Sequence, residues 1–153
     1  MKYQGYKGSR SDEWGTDKLL FEHLNELYRF NLDVAATRKN HLCKRYFTLK
    51  SDALKQPDWK GMCWLNPPFS IARPFFEQAR FYRVVAIYKA CNLETALWQD
   101  VIFPHAVWVC FIRGRTEYIK PTKNKNGVPF GSALIGFNVG CKVGHLGETR
   151  YRK

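Results

Sequence analysis

Asn66-Pro67-Pro68-Phe69 gathers the groups that could act on an amine attached to a heteroaromatic ring. Such an amine is a poor nucleophile because its lone pair is delocalised into the ring. Two carbonyl acceptors holding both of its hydrogens favour pyramidalisation and release the lone pair for attack. The Asn66 side-chain oxygen and the Pro67 carbonyl can serve as those acceptors, and Phe69 offers a face on which the base can stack. The two prolines fix φ and remove two backbone donors, so these groups sit on a rigid frame. No carboxylate has to take a proton before attack. The plainer alternative is an ordinary turn, since Asn and Pro are both turn formers.

What precedes the tetrapeptide argues for the chemistry. Met62-Cys63-Trp64-Leu65 has the length and composition of a buried strand, and a strand cannot extend through two prolines, so it stops at Asn66. The loop then lies at a strand's carboxyl end, where open α/β sheets bind ligands. Phe30 to Ala36 reads as a second short strand, ending in Asp33 and small residues. A carboxylate there can accept from both hydroxyls of a ribose while Ala35 and Ala36 allow close approach, which makes Asp33 the candidate cofactor anchor; helix capping is its competing use. Asp52, in Ser51-Asp52-Ala53-Leu54, is a second acceptor suited to an adenine amine. Trp14 and Thr16 stand just before a helical pattern that runs to Arg29, with Leu19, Leu20, Leu24, Leu27 and Tyr28 on one face and Thr16 or Asp17 as N-cap. Their ordinary uses are a core ring and a cap.

Beyond the loop, the pattern predicts a helix from Ile71 to Arg80, with Phe75, Phe76 and Ala79 inward. It predicts strands over Arg83 to Ala90, Ala106 to Ile112 and Gly131 to Val139, and a short helix over Thr95 to Val101. Tyr46 to Thr48 reads as an edge strand. The alternation of helices and apolar strands gives a single α/β domain over residues 1–153 with a mixed, mostly parallel sheet, residues 1–11 and 140–153 being flexible.

The 25 Lys and Arg against 13 Asp and Glu leave a net charge of +12, enough to condense on a polyanion, so nucleic acid is the expected partner. Arg113, Arg115, Lys120, Lys123 and Lys125 are the cations assigned to phosphates. Aromatic residues make up 16%, five of them Trp, which suits base stacking even though most of these rings must be core. The five cysteines are odd in number and lack metal-ligand spacing, which points to buried thiols and no metal. No stretch approaches the roughly 18 to 20 apolar residues of a membrane span, and Met1 to Arg10 lacks the apolar core of a signal peptide, so a cytoplasmic protein without membrane contact is expected.

Trp14-Gly15-Thr16, Leu32-Asp33-Val34-Ala35-Ala36, Ser51-Asp52-Ala53-Leu54 and Trp64-Leu65-Asn66-Pro67-Pro68-Phe69-Ser70 together resemble the phage-type DNA N6-adenine methyltransferase family. The likeness continues through Phe75-Phe76-Glu77-Gln78-Ala79, Phe111 to Arg115 and Pro129 to Leu134. The resemblance implies a Rossmann-like methyltransferase fold and transfer of a methyl group from S-adenosylmethionine to the N6 amine of adenine in double-stranded DNA, in the host cytoplasm if the chain is phage-encoded. It implies that Asn66, Pro67, Pro68 and Phe69 hold and stack the base. Trp14, Thr16, Asp33, Ala35 and Asp52 would line the cofactor, with Asp33 on its ribose and Asp52 on its adenine. The sequence departs from the family pattern in three places. Asp17 stands where Pro is common and adds a negative charge where a cofactor carboxylate would approach, no glycine-rich loop precedes Asp33, and Lys89 stands where Pro is more usual. The alternatives are a degenerate, non-catalytic DNA-binding relative, or an amino-methyltransferase acting on cytosine, RNA or a protein amide.

Overall fold

A computed structural model describes residues 14–116 and 129–153. Among these, α1 spans Lys18–Tyr28. Asp17 is its N-cap, accepting from the Leu19 and Leu20 amides at 3.3 and 3.4 Å. The buried stripe is Phe21, Leu24 and Tyr28. Leu19, expected on that face, is 75% exposed, because at about 100° per residue it turns away from a stripe centred on Leu24. Arg29 closes the helix in the left-handed region at φ 55.

Seven strands follow: β1 (Leu32–Asp33), β2 (Arg45–Tyr46), β3 (Met62–Leu65), β4 (Arg83–Lys89), β5 (Trp108–Ile112), β6 (Ser132–Phe137) and β7 (Gly147–Tyr151). They form one sheet in the order β2-β1-β3-β4-β6-β5-β7. The mixed α/β character matches expectation, but a mostly parallel sheet does not. Parallel pairing is confined to β2-β1-β3-β4, and the ladders of β6 with β4, and of β5 with β6 and β7, are antiparallel and longer. The reason lies in the connections. A parallel step needs a crossover of a dozen residues, usually a helix, and the described chain after His105 contains no further α-helix. The segment 140–153, expected to be flexible, carries β7, whose residues Gly147 to Tyr151 pair with Ile112 to Trp108.

Helix α2 (Ala72–Ala79) lies between β3 and β4 in sequence and buries Ala72, Phe75, Phe76 and Ala79. The short helix expected over Thr95 to Val101 is instead a wide π-type turn, Leu97–Ile102, leading into α3 (Phe103–His105). Pro104, which has no amide hydrogen to give, sits in α3 directly after that widened stretch. Trp59, Trp64, Trp98 and Trp108 are each no more than 1% exposed, so four of the five indoles are core rather than stacking surface. All five cysteines are unpaired, and burial pushes the Cys43 and Cys63 thiols up to about 12, which leaves them inert. No helix among the described residues is long and apolar enough to cross a membrane.

The packing of β6 against β5 leaves no room for a methyl group at Gly136. A Cβ there would overlap the Trp108 indole, whose Nε1 donates to the Val139 carbonyl at 2.9 Å. Gly136→Ala is therefore expected to lower unfolding free energy by about 1–3 kcal/mol, as for other overpacked cores, read as a lower urea midpoint at unchanged slope.

Candidate active site

The chain leaves β1 outward to β2 and returns to place β3 on the other side of β1. The connections therefore diverge between β1 and β3, whose paired residues include Leu32 with Cys63 and Asp33 with Trp64. Their carboxyl ends open a crevice at this switch in strand order. A cavity of about 680 Å³ occupies it, within the rough 300–1,000 Å³ range of small-molecule sites. Trp14, Thr16, Asp33, Ala35, Asp52, Asn66, Pro67 and Pro68 all wall it, so every candidate for cofactor contact and three of the four loop residues meet in one place.

Asp33 ends β1 at 3% exposure. Its Oδ2 accepts from the Leu42 amide at 3.0 Å, while its Oδ1 has no hydrogen-bond partner among the described residues. Burial pushes the carboxyl up to about 6, against the lowering effect of the Leu42 and Ala35 amides and the nearby His41. A buried acceptor without a donor is costly in isolation and is the kind of group a ligand hydroxyl completes. Asp52 is held at φ 46 and caps a short turn, Ala53–Lys55, by accepting from the Leu54 amide at 3.2 Å. Trp59 anchors that turn through an indole bond of 2.9 Å to the Ala53 carbonyl.

Asn66 emerges from β3 with its carboxamide nitrogen 2.7 Å from the Trp14 carbonyl and 3.1 Å from the Thr16 hydroxyl. A backbone carbonyl only accepts, so the group facing Trp14 must be the NH₂. The Pro68 carbonyl is taken by the Ile71 amide at 3.2 Å, which leaves the loop Asn66 Oδ1 and the Pro67 carbonyl as acceptors. Phe69 is not on the cavity wall. Its ring is 9% exposed and packs edge-on against Tyr88 and Phe130, each at 5.4 Å, with Lys89 Nζ at 5.7 Å from its centroid.

The negative charge expected at Asp17 is spent on the α1 cap, and Asp17 is not a cavity residue. Arg113 and Arg115 are exposed around Gly114 (φ 80) beyond β5 and do not line the cavity. Because β5 is antiparallel to β6, and β6 to β4, the carboxyl end of β5 lies on the same sheet edge as those of β1 and β3. Lys120, Lys123 and Lys125 fall outside the described residues.

Arg38 to Cys43, which reads from the sequence as a short helix or turn, is a turn within a loop that folds over Asp33, a placement the sequence reading did not anticipate. Thr37 and Asn40 cap each other there, and His41 donates through Nδ1 to the Cys43 carbonyl at 2.9 Å while stacking on Tyr46 at 4.0 Å. The one available signal was a Thr-x-x-Asn turn directly after the acidic strand end. Phe130, whose ring meets both Trp14 and Phe69, had no local signal at all.

A family model described as "DNA N-6-adenine-methyltransferase (Dam)" matches residues 5–135. The chain is 34% identical over 119 residues to a protein named DNA N-6-adenine-methyltransferase from Haemophilus phage HP1 (strain HP1c1), covering 73% of this chain and 68% of that one. It is 31% identical over 83 residues to a protein of the same name from Escherichia phage T1, covering 48% of this chain and 34% of the phage protein. The chain thus spans about a third of that second relative.

The carboxyl of Asp33 gives the site a pH signature. Folding raises it from 3.8 to about 6, so between those values the folded chain keeps a proton the unfolded chain has lost. The corresponding stability is fully present below pH 4 and is lost as pH rises through 6. Asp33→Asn removes the ionisation, and is expected to be more stable than the native chain by on the order of 2–3 kcal/mol above pH 6, with the difference vanishing below pH 4. Denaturation midpoints measured from pH 4 to 8 check this.

Proposed function

The chain belongs to the DNA N-6-adenine-methyltransferase (Dam) family, and we propose that it transfers a methyl group from S-adenosylmethionine to the N6 amine of adenine in double-stranded DNA on a Rossmann-like scaffold. The observation that carries this reading is the Asn66 carboxamide, with its NH₂ bound to Trp14 and Thr16 and its oxygen left to the cavity that Asp33 shares.

The residues fit the cofactor. The orphaned Asp33 Oδ1 suits a ribose hydroxyl, the small side chains of Ala35 and Ala36 allow the approach that a glycine-rich loop provides elsewhere, and Asp52 suits an adenine amine. S-adenosylmethionine supplies an electrophilic methyl on a sulfonium. The chain supplies orientation and acceptors: Asn66 Oδ1 and the Pro67 carbonyl take the two hydrogens of the target amine and turn its lone pair toward the methyl. The amine needs no prior deprotonation, and its proton leaves once the new bond has formed. The target base must leave the duplex to arrive here, at a cost of a few kcal/mol that falls on the binding step. Phe69 is largely covered, so a base stacks on it only after a neighbour withdraws, and the flexible stem of Lys89 can do so. Arg113 and Arg115, with Lys120, Lys123 and Lys125, supply phosphate contacts, and the net charge of +12 supports a polyanionic partner. The phage origin of the two relatives suits action on DNA in a host cytoplasm.

Labelled methyl transfer to unmethylated DNA, followed by digestion to nucleosides, tests the reading. Label is expected in N6-methyl-2′-deoxyadenosine, with Asn66→Ala reduced on the order of a hundredfold in kcat by analogy with other single hydrogen-bonding groups that act on a transition state. Label in cytosine, or none with DNA binding intact, overturns it in favour of a cytosine enzyme or a binding-only relative. The ribose contact also predicts that cofactor affinity, by calorimetry, weakens as pH falls through 6, where Asp33 takes up its proton.

A further inference from the structure

We infer that Thr16 is a positioning residue that holds, from the wall of the cofactor cavity, the Asn66 carboxamide in the orientation that the Trp14 carbonyl selects, with its oxygen toward the target amine. The inference rests on the adenine-methylating reading above. The terminal torsion of an asparagine is broad and roughly two-fold, so its own preference does not decide whether oxygen or NH₂ faces the substrate. Facing the wrong way, it would set two donors against the two hydrogens of the amine. The partners decide.

The Trp14 carbonyl, at 2.7 Å, cannot donate and so draws the NH₂. The Thr16 hydroxyl, at 3.1 Å, engages the same nitrogen, and Thr16 is only 6% exposed, so water competes poorly for that bond. With the NH₂ held on this side, the oxygen is the atom offered on the other. Both partners come from residues far earlier in the chain, 52 and 50 positions away, and they are held by the start of α1. The Asp17 carboxylate fixes the Leu19 and Leu20 amides, and Thr16 is the residue immediately before that cap.

Gly15 and Thr16 also wall the cavity that Asp33 shares. A cofactor seated there packs against the same backbone that orients Asn66. Binding of the first substrate thereby steadies the acceptor for the second, and productive engagement of the base follows cofactor binding.

Three chains separate this role from direct contact with the cofactor: native, Thr16→Val, which keeps the branched shape without the hydroxyl, and Thr16→Ser, which keeps the hydroxyl. The measurements are kcat and KM for DNA at saturating S-adenosylmethionine, the calorimetric Kd for S-adenosylmethionine, and hydrogen-exchange protection of the Asn66 side-chain amide by NMR. Thr16→Val is expected to lose roughly tenfold in kcat, equivalent to about 1.4 kcal/mol, with cofactor Kd changed by no more than about twofold. Thr16→Ser should restore kcat to within about threefold of native, and the Asn66 amide should lose protection in the Val variant alone. Unchanged kcat with much weaker cofactor binding in Thr16→Val would make Thr16 a cofactor contact and overturn the inference. So would an equal loss in the Ser variant, which would mean packing alone. Absence of methyl transfer by the native chain would sink the functional reading instead, and an unprotected Asn66 amide in the native chain would independently sink the clamp.

Discussion

Placing β3 beside β1 after the chain has already gone out to β2 obliges two parallel strands to end side by side with no connection crossing the gap between them. The rest of the site depends on that constraint. Asp33 and Asn66 share a cavity because each is the group at which its strand gives out, one to small residues and the other to two prolines. Neither would face a ligand if the strands continued. The Val34 amide bonds the Trp64 carbonyl at 3.0 Å, and the Phe47 amide bonds the Asp33 carbonyl at 2.9 Å, so the backbone ladder runs to the very edge of the cavity and holds the two ends in register. A short strand is sufficient here because it runs parallel to both of its neighbours and its own two residues, Leu32 and Asp33, are buried.

Every residue on the cavity wall lies between Trp14 and Phe75. The antiparallel half, β5 to β7, contributes a dense core instead: Ala133, Leu134, Ile135 and Phe137 are all at 0% exposure, and Gly136 is pressed against the Trp108 ring. The Tyr28 hydroxyl of α1 ties the two halves together, accepting from the Lys142 amide at 2.8 Å and donating to the Gly140 carbonyl at 3.0 Å. The cavity half carries a buried carboxyl oxygen without a donor and an aspartate held at positive φ, conditions that cost stability and persist where a ligand makes use of them.

The parts of the fold that could be read from the sequence are those set by neighbours in the chain. Met62 to Leu65 is a strand because a continuous apolar run meets two prolines, and Asp33 ends a strand because small residues follow it. Both signals are local and both were decisive. The Asn66 amide could be recognised as a candidate but not oriented, because its orienting partners stand 50 or more residues away. β7 could not be read either. Its residues alternate between exposed and half-buried rather than between apolar and polar, and the strand exists because β5 offered an open edge. Most of the aromatic rings were expected in the core, and four of the five indoles lie there, beside Phe76, Phe137, Leu65 and Ile87.

The departures from the family pattern each sit among elements that give them a local physical role. A glycine-rich loop serves to bring backbone close to a ligand; after β1 the small residues Ala35 and Ala36 line the cavity instead, and the loop 37–42 folds back so that the Leu42 amide holds Asp33. A proline after Thr16 would have begun the helix by fixing φ. Asp17 begins it by accepting the first free amides, so its charge is directed along the helix axis rather than into the cavity. Lys89 places its Nζ 5.7 Å from the centroid of the Phe69 ring. Asp17 thus meets the requirement at the helix start by a different physical means than a proline would.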